Sequence, residues 1–171
     1  MPVSRKVNSL YMPRFYRMGL GQDSHRFSEM KKPLVLGGYA VPNERGLEAN
    51  SDGDVILHAL FNAISSALGG RSLGITADEM CKKGITDSRK YLKAIIKRMN
   101  AEKLAIGNIS LCIEAKKPKL EQHHDSIKKS LCTILAIGEG QIGLTFTSGE
   151  GLTGFGRGEG MQCFCTVLLI R

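Results

Sequence analysis

Three side chains of this sequence could together hold a metal ion: Asp23, His25 and His58. A carboxylate and two imidazoles form a typical ligand set for a catalytic zinc, in which three protein ligands leave the fourth position open. The chain has only four histidines, so the placement of two of them is informative. We predict a metal centre here, while each feature taken alone is more often a chance triplet or a hydrogen-bonded core histidine.

The surrounding sequence predicts the strand and the helix that position these ligands. Residues i and i+2 of a strand point to the same face, so a strand that ends at Asp23 would direct Asp23 and His25 to one point. Ser51 is predicted to cap a helix over residues 55–68, which is apolar nearly all round and therefore buried. His58 lies inside this helix, where its ring needs a polar partner.

The rest of the chain alternates between predicted strands and helices. Strands are predicted at residues 33–41, 104–114, 142–147 and 161–170. A second helix is predicted to be capped by Asp87. A third helix is predicted over residues 121–137 and ends at Gly138. Residues 69–85 are predicted to be irregular. The pattern favours the α+β class, as a single-domain α/β sandwich in which a mixed sheet carries helices on one face. The other face then needs cover, which an oligomer would supply.

The composition is typical of one globular domain, and the positive net charge favours anionic partners. The chain has 171 residues, 42% of them hydrophobic, and a net charge of +8,. Residues 1–17 are basic and contain no acid, so we predict an N-terminal extension there and a single domain over residues 18–171. No apolar run approaches the roughly 18 residues that span a bilayer, so a membrane is not a predicted partner. The five cysteines form no CxxC pair and are predicted to be reduced, mostly buried thiols of a cytoplasmic protein.

Two further segments could bind an anionic substrate. Residues 147–151, Thr-Ser-Gly-Glu-Gly, supply hydroxyls and glycine amides for phosphate, and Glu150 fits among them if Mg²⁺ bridges it to the phosphates. A glycine-rich hairpin with a solvated acid fits this segment equally well. Residues 115–120 place three lysines around Pro118 and could bind phosphate or a base, although a solvated basic turn is the commoner meaning. No aromatic residues are interleaved there, so nucleic acid is not a predicted partner.

Taken together, these segments resemble the 2-C-methyl-D-erythritol 2,4-cyclodiphosphate synthases of the non-mevalonate isoprenoid pathway. The matching pieces occur in the order and spacing of that family and cover residues 18–171. The most specific of them are Ser51-Asp52-Gly53-Asp54-Val55 with Leu57-His58-Ala59-Leu60, and Gly156-Arg157-Gly158-Glu159-Gly160. The others are Gly21 to Phe27, Gly37-Gly38, Thr86-Asp87-Ser88-Arg89 and the segment around Pro118-Lys119.

The resemblance implies a phosphorus-oxygen lyase that is a homotrimer with active sites between neighbouring subunits. The enzyme would convert 4-diphosphocytidyl-2-C-methyl-D-erythritol 2-phosphate to 2-C-methyl-D-erythritol 2,4-cyclodiphosphate and release CMP. One Zn²⁺ per subunit would bind Asp23, His25 and His58, and Mg²⁺ or Mn²⁺ would bind Glu150 with the substrate. An isoprenoid diphosphate could occupy the central cavity of the trimer.

The resemblance also assigns roles to individual residues. Asn50 and Ser148 are expected to take part in catalysis. The cytidine pocket is expected at residues 115–121, and phosphate contacts are expected from Thr147 and Ser148. The complete set of expected substrate contacts is Asp23, Ser24, His25, Asn50, Ser51, Ala115, Lys119, Leu120, Glu121, Thr147, Ser148, Gly149, Glu150, Gly154 and Arg157.

Three features depart from the family pattern. Asn50 stands where the family usually has a histidine that stabilises the transition state, and asparagine can donate a hydrogen bond but cannot carry charge. Residues 70–72, Gly-Arg-Ser, replace the usual Asp-Ile-Gly of a ribose-binding loop. Phe155 lies one place later than usual, which alters the expected lining of the central cavity.

Two other functions fit the same residues. The first is a different zinc-dependent enzyme, such as a phosphoester hydrolase, although the sequence offers no evident base to activate water. The second is a basic binding protein without catalysis, which the net charge of +8 and the lysine-rich segment would favour. Bound zinc would discriminate against this second function.

Overall fold

The computed structural model describes residues 15–171 as a four-stranded sheet, a separate two-stranded hairpin and a layer of helices. The elements in chain order are β1 (Tyr16–Arg26), β2 (Pro33–Leu36), β3 (Tyr39–Arg45), α1 (Val55–Ala67), α2 (Leu73–Lys82), α3 (Ser88–Ala101), β4 (Ala105–Glu114), α4 (His124–Leu135), β5 (Ile142–Thr147), α5 (Gly154–Arg157) and β6 (Gly160–Ile170). Short 3-10 turns lie at Leu120–His123, Glu139–Gln141 and Gly149–Gly151. None of these helices is long and apolar enough to cross a membrane.

The main sheet is mixed, and its strand order is β1-β6-β4-β5. Strand β6 runs antiparallel to both β1 and β4, whereas β4 and β5 are parallel. It follows that β1, β4 and β5 point the same way and that their C-terminal ends lie at one end of the sheet. The predicted α+β class and mixed sheet are confirmed.

Helix α1 is the centre of the core, and it lies directly on β1. It also packs against β6 and α3, and nearly all of its side chains are buried. A Cβ atom added to Gly19 would lie 1.9 Å from the Ala63 carbonyl oxygen, and one added to Gly21 would lie 2.1 Å from that of Ala59. Real Cβ atoms do not approach an oxygen so closely, so these two glycines permit the contact between helix and strand.

The opposite face of the sheet carries apolar side chains that no other described element covers. Met18 is 75% exposed and Leu20 is 61% exposed on β1, and Tyr16 and Phe164 are exposed beside them. This outer face comprises the alternate residues of β1 and β6 that point away from the helices. A contiguous exposed apolar surface of this kind is typical of an interaction site.

Two predicted helix boundaries are wrong. Asp54, not Ser51, caps α1, and its carboxylate accepts hydrogen bonds from the amides of Ile56 and Leu57. Helix α4 does not continue to Gly138, because Ala136 adopts a left-handed conformation (φ 54°) at its C-terminus. Alanine is uncommon there, which is why the glycine two residues later was the stronger sequence signal.

Two predicted segments are also corrected by the structure. Residues 69–85 are not irregular throughout, because α2 fills much of this stretch and turns Leu73 and Ala77 toward the core. Strand β1 does not end at Asp23 but pairs with β6 as far as Arg26. It begins at Tyr16, so the last two residues of the predicted extension belong to the sheet, while residues 1–14 lie outside the described part of the chain.

All five cysteines are free, as predicted from their spacing. Cys163 and Cys165 are buried on the helix-facing side of β6, where burial raises the pKa of the Cys165 thiol to about 12. The expectation that the thiols are mostly buried is only partly right, because Cys112 is exposed and Cys81 and Cys132 are half-buried.

Candidate metal centre and substrate cleft

The three predicted metal ligands meet at one point. Asp23 Oδ2 lies 2.9 Å from His58 Nδ1 and 3.1 Å from His25 Nε2. Strand β1 supplies Asp23 and His25 on its helix-facing side, and α1 brings His58 over them. Among the described residues, these three form the one group of at least three histidine, cysteine or acidic side chains with converging ligand atoms.

The Asp23 carboxylate is held in its charged form. Burial alone would raise its pKa, but hydrogen bonds and positive charge from protonated imidazoles of His25 and His58 outweigh that effect and lower the pKa of Asp23 to about 2. A carboxylate that is ionised at neutral pH and faces two ring nitrogens provides the negative charge that a divalent cation requires.

The geometry of the three residues fits a tetrahedral zinc ion. Ligand bonds of about 2.0–2.1 Å correspond to ligand-to-ligand distances of about 3.3 Å in a tetrahedron, close to the 2.9 Å and 3.1 Å observed. His25 Nε2 is buried and has no hydrogen-bond partner among the described residues, since its approach to Asp23 lacks hydrogen-bond geometry. A buried nitrogen without a partner costs free energy unless a ligand satisfies it, so the donor set accommodates a metal.

The ring of His58 is fixed by contacts on its other side. His58 Nε2 lies 2.7 Å from Ser88 Oγ at the start of α3, and Ser88 Oγ in turn donates to the carboxylate of Asp52. Asp52 also accepts a hydrogen bond from the Ser88 amide, at 3.0 Å. The metal centre therefore has a second layer of polar support that joins α1, α3 and the loop before α1.

A cavity of about 450 Å³ opens at the three ligands. Asn50 and Ser51 line it from the loop before α1, while Leu73, Asp78 and Cys81 of α2 form part of the facing wall. The ammonium group of Lys32 donates hydrogen bonds to the carbonyl oxygens of Ala49 and Ser51, on either side of Asn50. Asn50 is thus exposed on a loop whose backbone is fixed on both sides.

Ser24 does not lie beside the metal ligands, although it was predicted to contact the substrate. It alternates with Asp23 and His25 along β1 and is paired with Gln162, so it points to the outer face of the sheet. Within one chain, Ser24 and the cavity lie on opposite sides of β1.

A second group of predicted substrate residues lies at the far edge of the sheet. The Ala115 amide donates to the carbonyl oxygen of Thr147 at 3.0 Å, and the Lys116 amide donates to Phe155 at 3.2 Å, so the two predicted anion-binding segments are adjacent. Ala115 and Leu120 are buried, whereas Lys119, Glu121, Thr147, Glu150 and Arg157 are exposed. The two adjacent segments are thus a candidate for a second half-site.

The loop that carries Glu150 is held by a partly buried hydrogen-bond network around Glu114. Glu114 accepts hydrogen bonds from Gln162 Nε2 at 2.6 Å and from Thr153 Oγ1. Gly149 has a φ of +68°, and a Cβ atom there would lie 2.0 Å from the Glu114 carboxylate, so glycine is required at this position. Ser148 Oγ contacts the Glu150 carboxylate at the tip of the loop.

The two half-sites lie at the same end of the sheet but at opposite edges. Glu114 is in register with Thr147 on one side and Gln162 on the other, and Gln162 is paired with Ser24. The sheet order separates β1 from β5 by three strand spacings, which is about 14 Å. None of residues 115–121 or 147–157 lines the cavity beside Asp23, His25 and His58.

Comparison with known proteins decides the family. The YgbB family model matches residues 16–170, which is nearly the whole chain. The chain belongs to the YgbB family. Two relatives named 2-C-methyl-D-erythritol 2,4-cyclodiphosphate synthase support this membership. The protein of Chlamydia felis is 44% identical, and the match covers 98% of this chain and 97% of the relative. The protein of Chlamydia trachomatis serovar D is 46% identical, and the match covers 91% of this chain and 88% of the relative.

A solved structure has the same fold as this chain. IspF of Plasmodium falciparum in complex with CDP aligns with a TM-score of 0.79 and 29% identity, covering 91% of this chain and 96% of that one. The resemblance to the cyclodiphosphate synthases that the sequence indicated is therefore confirmed. The names of the relatives support that activity over a different zinc hydrolase or a non-catalytic binding protein.

Other residues of this YgbB chain support the cleft without having been predicted. Asn62, one turn after His58 on α1, donates to the carbonyl oxygen of Gln22 at 3.1 Å and accepts from the Leu73 amide at 2.8 Å. It therefore joins β1 to the first residue of α2. The sequence signal for α2 was present, since Leu73, Ala77 and Met80 recur at helical spacing and face the core,.

Proposed function

We propose that this chain converts 4-diphosphocytidyl-2-C-methyl-D-erythritol 2-phosphate to 2-C-methyl-D-erythritol 2,4-cyclodiphosphate and releases CMP. The observation that carries the proposal is the convergence of Asp23, His25 and His58 at a cavity, in a chain whose relatives bear the name of that synthase. An oxygen of the 2-phosphate forms a bond to the β-phosphorus of the diphosphate. The bond from the β-phosphorus to the bridging oxygen breaks, and CMP leaves with that oxygen and the electron pair. No water enters, which makes the enzyme a phosphorus-oxygen lyase.

The main task of the site is to bring anionic groups together, because the attacking oxygen is already an anion. Holding both phosphates in one site can contribute about 7–11 kcal/mol in favourable cases. Zinc bound by the three ligands would neutralise phosphate charge and polarise a phosphoryl oxygen. Asn50 would donate a hydrogen bond to a phosphoryl oxygen, and its position beside Ser51 in the cavity lining supports this role.

The second half-site would bind the rest of the substrate. Thr147 and Ser148 offer hydroxyl donors for phosphate oxygens at the end of β5, beside the Gly149 amide, which donates to Thr147 Oγ1 at 3.2 Å. Gly154 and Arg157 are the first and last residues of the adjacent helix α5. Glu150 would bind Mg²⁺ or Mn²⁺ together with the phosphates, because such ions use one or two carboxylates and complete their shell with phosphate and water. Residues 115–121 would form the cytidine pocket between β4 and α4.

A homotrimer would unite the two half-sites. The β1 edge of one copy, with its metal ligands, would face the β5 edge of the next, with its phosphate and cytidine residues. The exposed outer face around Met18 and Leu20 supplies apolar surface for such an assembly,. An isoprenoid diphosphate could then bind in the central cavity between the copies.

The proposed reaction is tested by following CMP and phosphorus products from the purified protein in ¹⁸O-labelled water. We expect divalent-cation-dependent release of CMP and a cyclic diphosphate that carries no ¹⁸O. His58→Ala should lose bound zinc and at least 100-fold in turnover (roughly the effect of removing one essential electrostatic group).

Lys97→Ala, an exposed change on α3, is the control and should retain both zinc and turnover. An open bisphosphate that contains ¹⁸O would identify a hydrolase and overturn the proposed cyclisation. Full activity in His58→Ala would show that the three ligands are not the metal centre.

A further inference from the structure

His58 presents one ring nitrogen to the metal centre and the other to a chain of polar groups that the reaction does not use. Nδ1 faces Asp23 at 2.9 Å, and Nε2 lies 2.7 Å from Ser88 Oγ. Both nitrogens cannot be bare in neutral histidine, because one of them carries the proton. The partners of Ser88 determine which nitrogen that is.

The hydroxyl of Ser88 has one proton, and its direction is set by Asp52. An ionised carboxylate only accepts hydrogen bonds, and the Asp52 carboxylate is bound by both the amide and the hydroxyl of Ser88. The Ser88 hydroxyl therefore donates its proton to Asp52 and can only accept from His58. It follows that Nε2 of His58 carries the ring proton and that Nδ1 presents its lone pair.

This arrangement leaves two acceptors facing each other where the metal is expected. A lone pair on His58 Nδ1 and the charged Oδ2 of Asp23 would repel each other at 2.9 Å unless a cation lies against both. His25 Nε2, also without a hydrogen-bond partner among the described residues, approaches the same oxygen. The orientation of the Ser88 hydroxyl thus selects a metal site over a hydrogen bond between His58 and Asp23.

We propose that Asp52, acting through Ser88, is a positioning residue that holds His58 in the Nε2–H tautomer and so directs Nδ1 to the metal. Neither residue lines the cavity, and neither belongs to the group of converging ligand atoms. The inference deepens the proposed function, on which it rests for the role of His58 as a ligand. Outer partners of metal-bound histidines typically contribute roughly 10- to 100-fold to metal affinity.

The Asp52→Asn variant tests the direction of the hydrogen bonds that run from His58 through Ser88 to Asp52. Asparagine has nearly the same shape as aspartate but reverses one of these hydrogen bonds. The Ser88 amide, 3.0 Å from Oδ2, lies closer to the Asp52 carboxylate than the Asp54 amide, 3.3 Å from Oδ1. The oxygen of the introduced asparagine should therefore face the Ser88 amide, and its NH₂ group should face Ser88 Oγ. The Ser88 hydroxyl would accept from that NH₂ group and donate to His58 Nε2. The proton of His58 would consequently move to Nδ1, where it blocks the metal.

The first measurement is the ring ¹⁵N spectrum of metal-free protein in mildly alkaline buffer, in which histidine is neutral. The His58 signals are assigned by their absence from His58→Gln. We expect protonated Nε2 in the native chain and protonated Nδ1 in Asp52→Asn. Protonated Nδ1 in the native chain, or unchanged Nε2–H in Asp52→Asn, would overturn the proposal.

The second measurement is zinc affinity by competition with a chelator. Asp52→Asn should bind zinc roughly 10- to 100-fold more weakly, and Ser88→Ala should also weaken binding by removing the acceptor, while Ser88→Thr restores the hydroxyl and the affinity. Ser66→Ala is the matched control, since it removes an exposed serine hydroxyl from α1 and should leave both the tautomer of His58 and the zinc affinity as they are in the native chain. Native zinc affinity in both Asp52→Asn and Ser88→Ala would refute the proposed role.

Failure of this proposal is distinguishable from failure of the proposed reaction. The tautomer is read in protein without metal or substrate, so it is independent of turnover. A chain with the expected tautomer but no CMP release would contradict the reaction alone. A chain that releases CMP with unchanged zinc affinity in Asp52→Asn and Ser88→Ala would contradict the positioning role alone.

Discussion

Asp54 shows how a single buried carboxylate can organise the surroundings of the site. It is fully buried, and its oxygens accept four backbone hydrogen bonds, from Gly37 and Gly38 in the β2–β3 turn and from Ile56 and Leu57 at the start of α1. Burial raises the pKa of Asp54 to about 6 from its ordinary 3.8, although the backbone hydrogen bonds oppose this shift. The residue therefore links the hairpin to the helix that carries His58.

The shift in the pKa of Asp54 makes stability depend on pH. Between pH 3.8 and about 6 the folded chain holds a proton on Asp54 that the unfolded chain has lost, so this stabilisation is present at low pH and disappears as pH rises through 6. The free energy of unfolding changes by about 3 kcal/mol over this pH range. The free energy of unfolding of Asp54→Asn, measured in urea, should lack this part of the pH dependence. As pH rises from 4 to 7, the free energy of unfolding of the native chain should therefore fall relative to that of the variant.

Asp125→Asn is the control for this experiment, because the carboxyl group of Asp125 is exposed. In this variant, the difference in the free energy of unfolding between pH 4 and pH 7 should be close to that of the native chain. Parallel pH curves for the native chain and Asp54→Asn would contradict the raised pKa.

The metal ligands were predictable at the residue scale, whereas their supports were not. Asp23 and His25 follow the two-residue period of a strand, and His58 is a polar exception in an apolar helix. Ser88 and Asn62 have no such local signature, because their roles arise from contacts between elements distant in the chain. Asn50 lines the cavity, where we expect its amide to donate a hydrogen bond without carrying charge.

At the scale of elements, two glycines of β1 determine how closely α1 can approach. Gly21→Ala would place a Cβ atom 2.1 Å from the Ala59 carbonyl oxygen, only one residue after His58, so α1 must move away from β1. We expect loss of tightly bound zinc, measured by metal analysis, and destabilisation by about 3 kcal/mol, the upper end of the range typical of overpacking.

Gly143→Ala is the matched control, since its added Cβ atom would find no neighbour closer than 3.7 Å on β5. This variant should keep its zinc and its melting temperature within a few degrees. A Gly21→Ala protein with full zinc content would show that the contact between helix and strand does not position His58.

The elements themselves were predicted with uneven success for physical reasons. Strands β4, β5 and β6 were correctly located, because their alternating pattern reflects one buried face. Helix α2 was missed, because the glycines and charged residues on either side of it dominate a stretch with only a narrow apolar stripe. The N-cap of α1 was misplaced because Ser51 and Asp54 are both good capping residues, and only the tertiary contacts of Asp54 decide between them.

At the scale of the whole molecule, the separation of the two half-sites predicts an obligatory assembly. Leu20→Asp would place a charge in the centre of the outer face of the sheet, where Leu20 is 61% exposed in one chain. We expect the native mass to be three times that of one 18.6 kDa chain by light scattering, and Leu20→Asp to be monomeric and inactive.

Ile75→Asp changes a similarly exposed apolar residue, but on α2 and away from the sheet face. It is the control and should retain the trimeric mass. A trimeric Leu20→Asp protein would place the interface elsewhere, and an active monomer would show that one chain contains the whole site.

Strand β1 carries metal ligands on one side and the outer apolar face on the other, at alternate positions of the same backbone. Binding of a metal on one side of the strand would order its backbone. Association through the other side would then cost less conformational entropy. In the proposed homotrimer, thermodynamic reciprocity would make metal binding favour association, and association favour metal binding, by the same factor. Protein concentration would act as an effector of zinc affinity, so that dilution alone could release the ion.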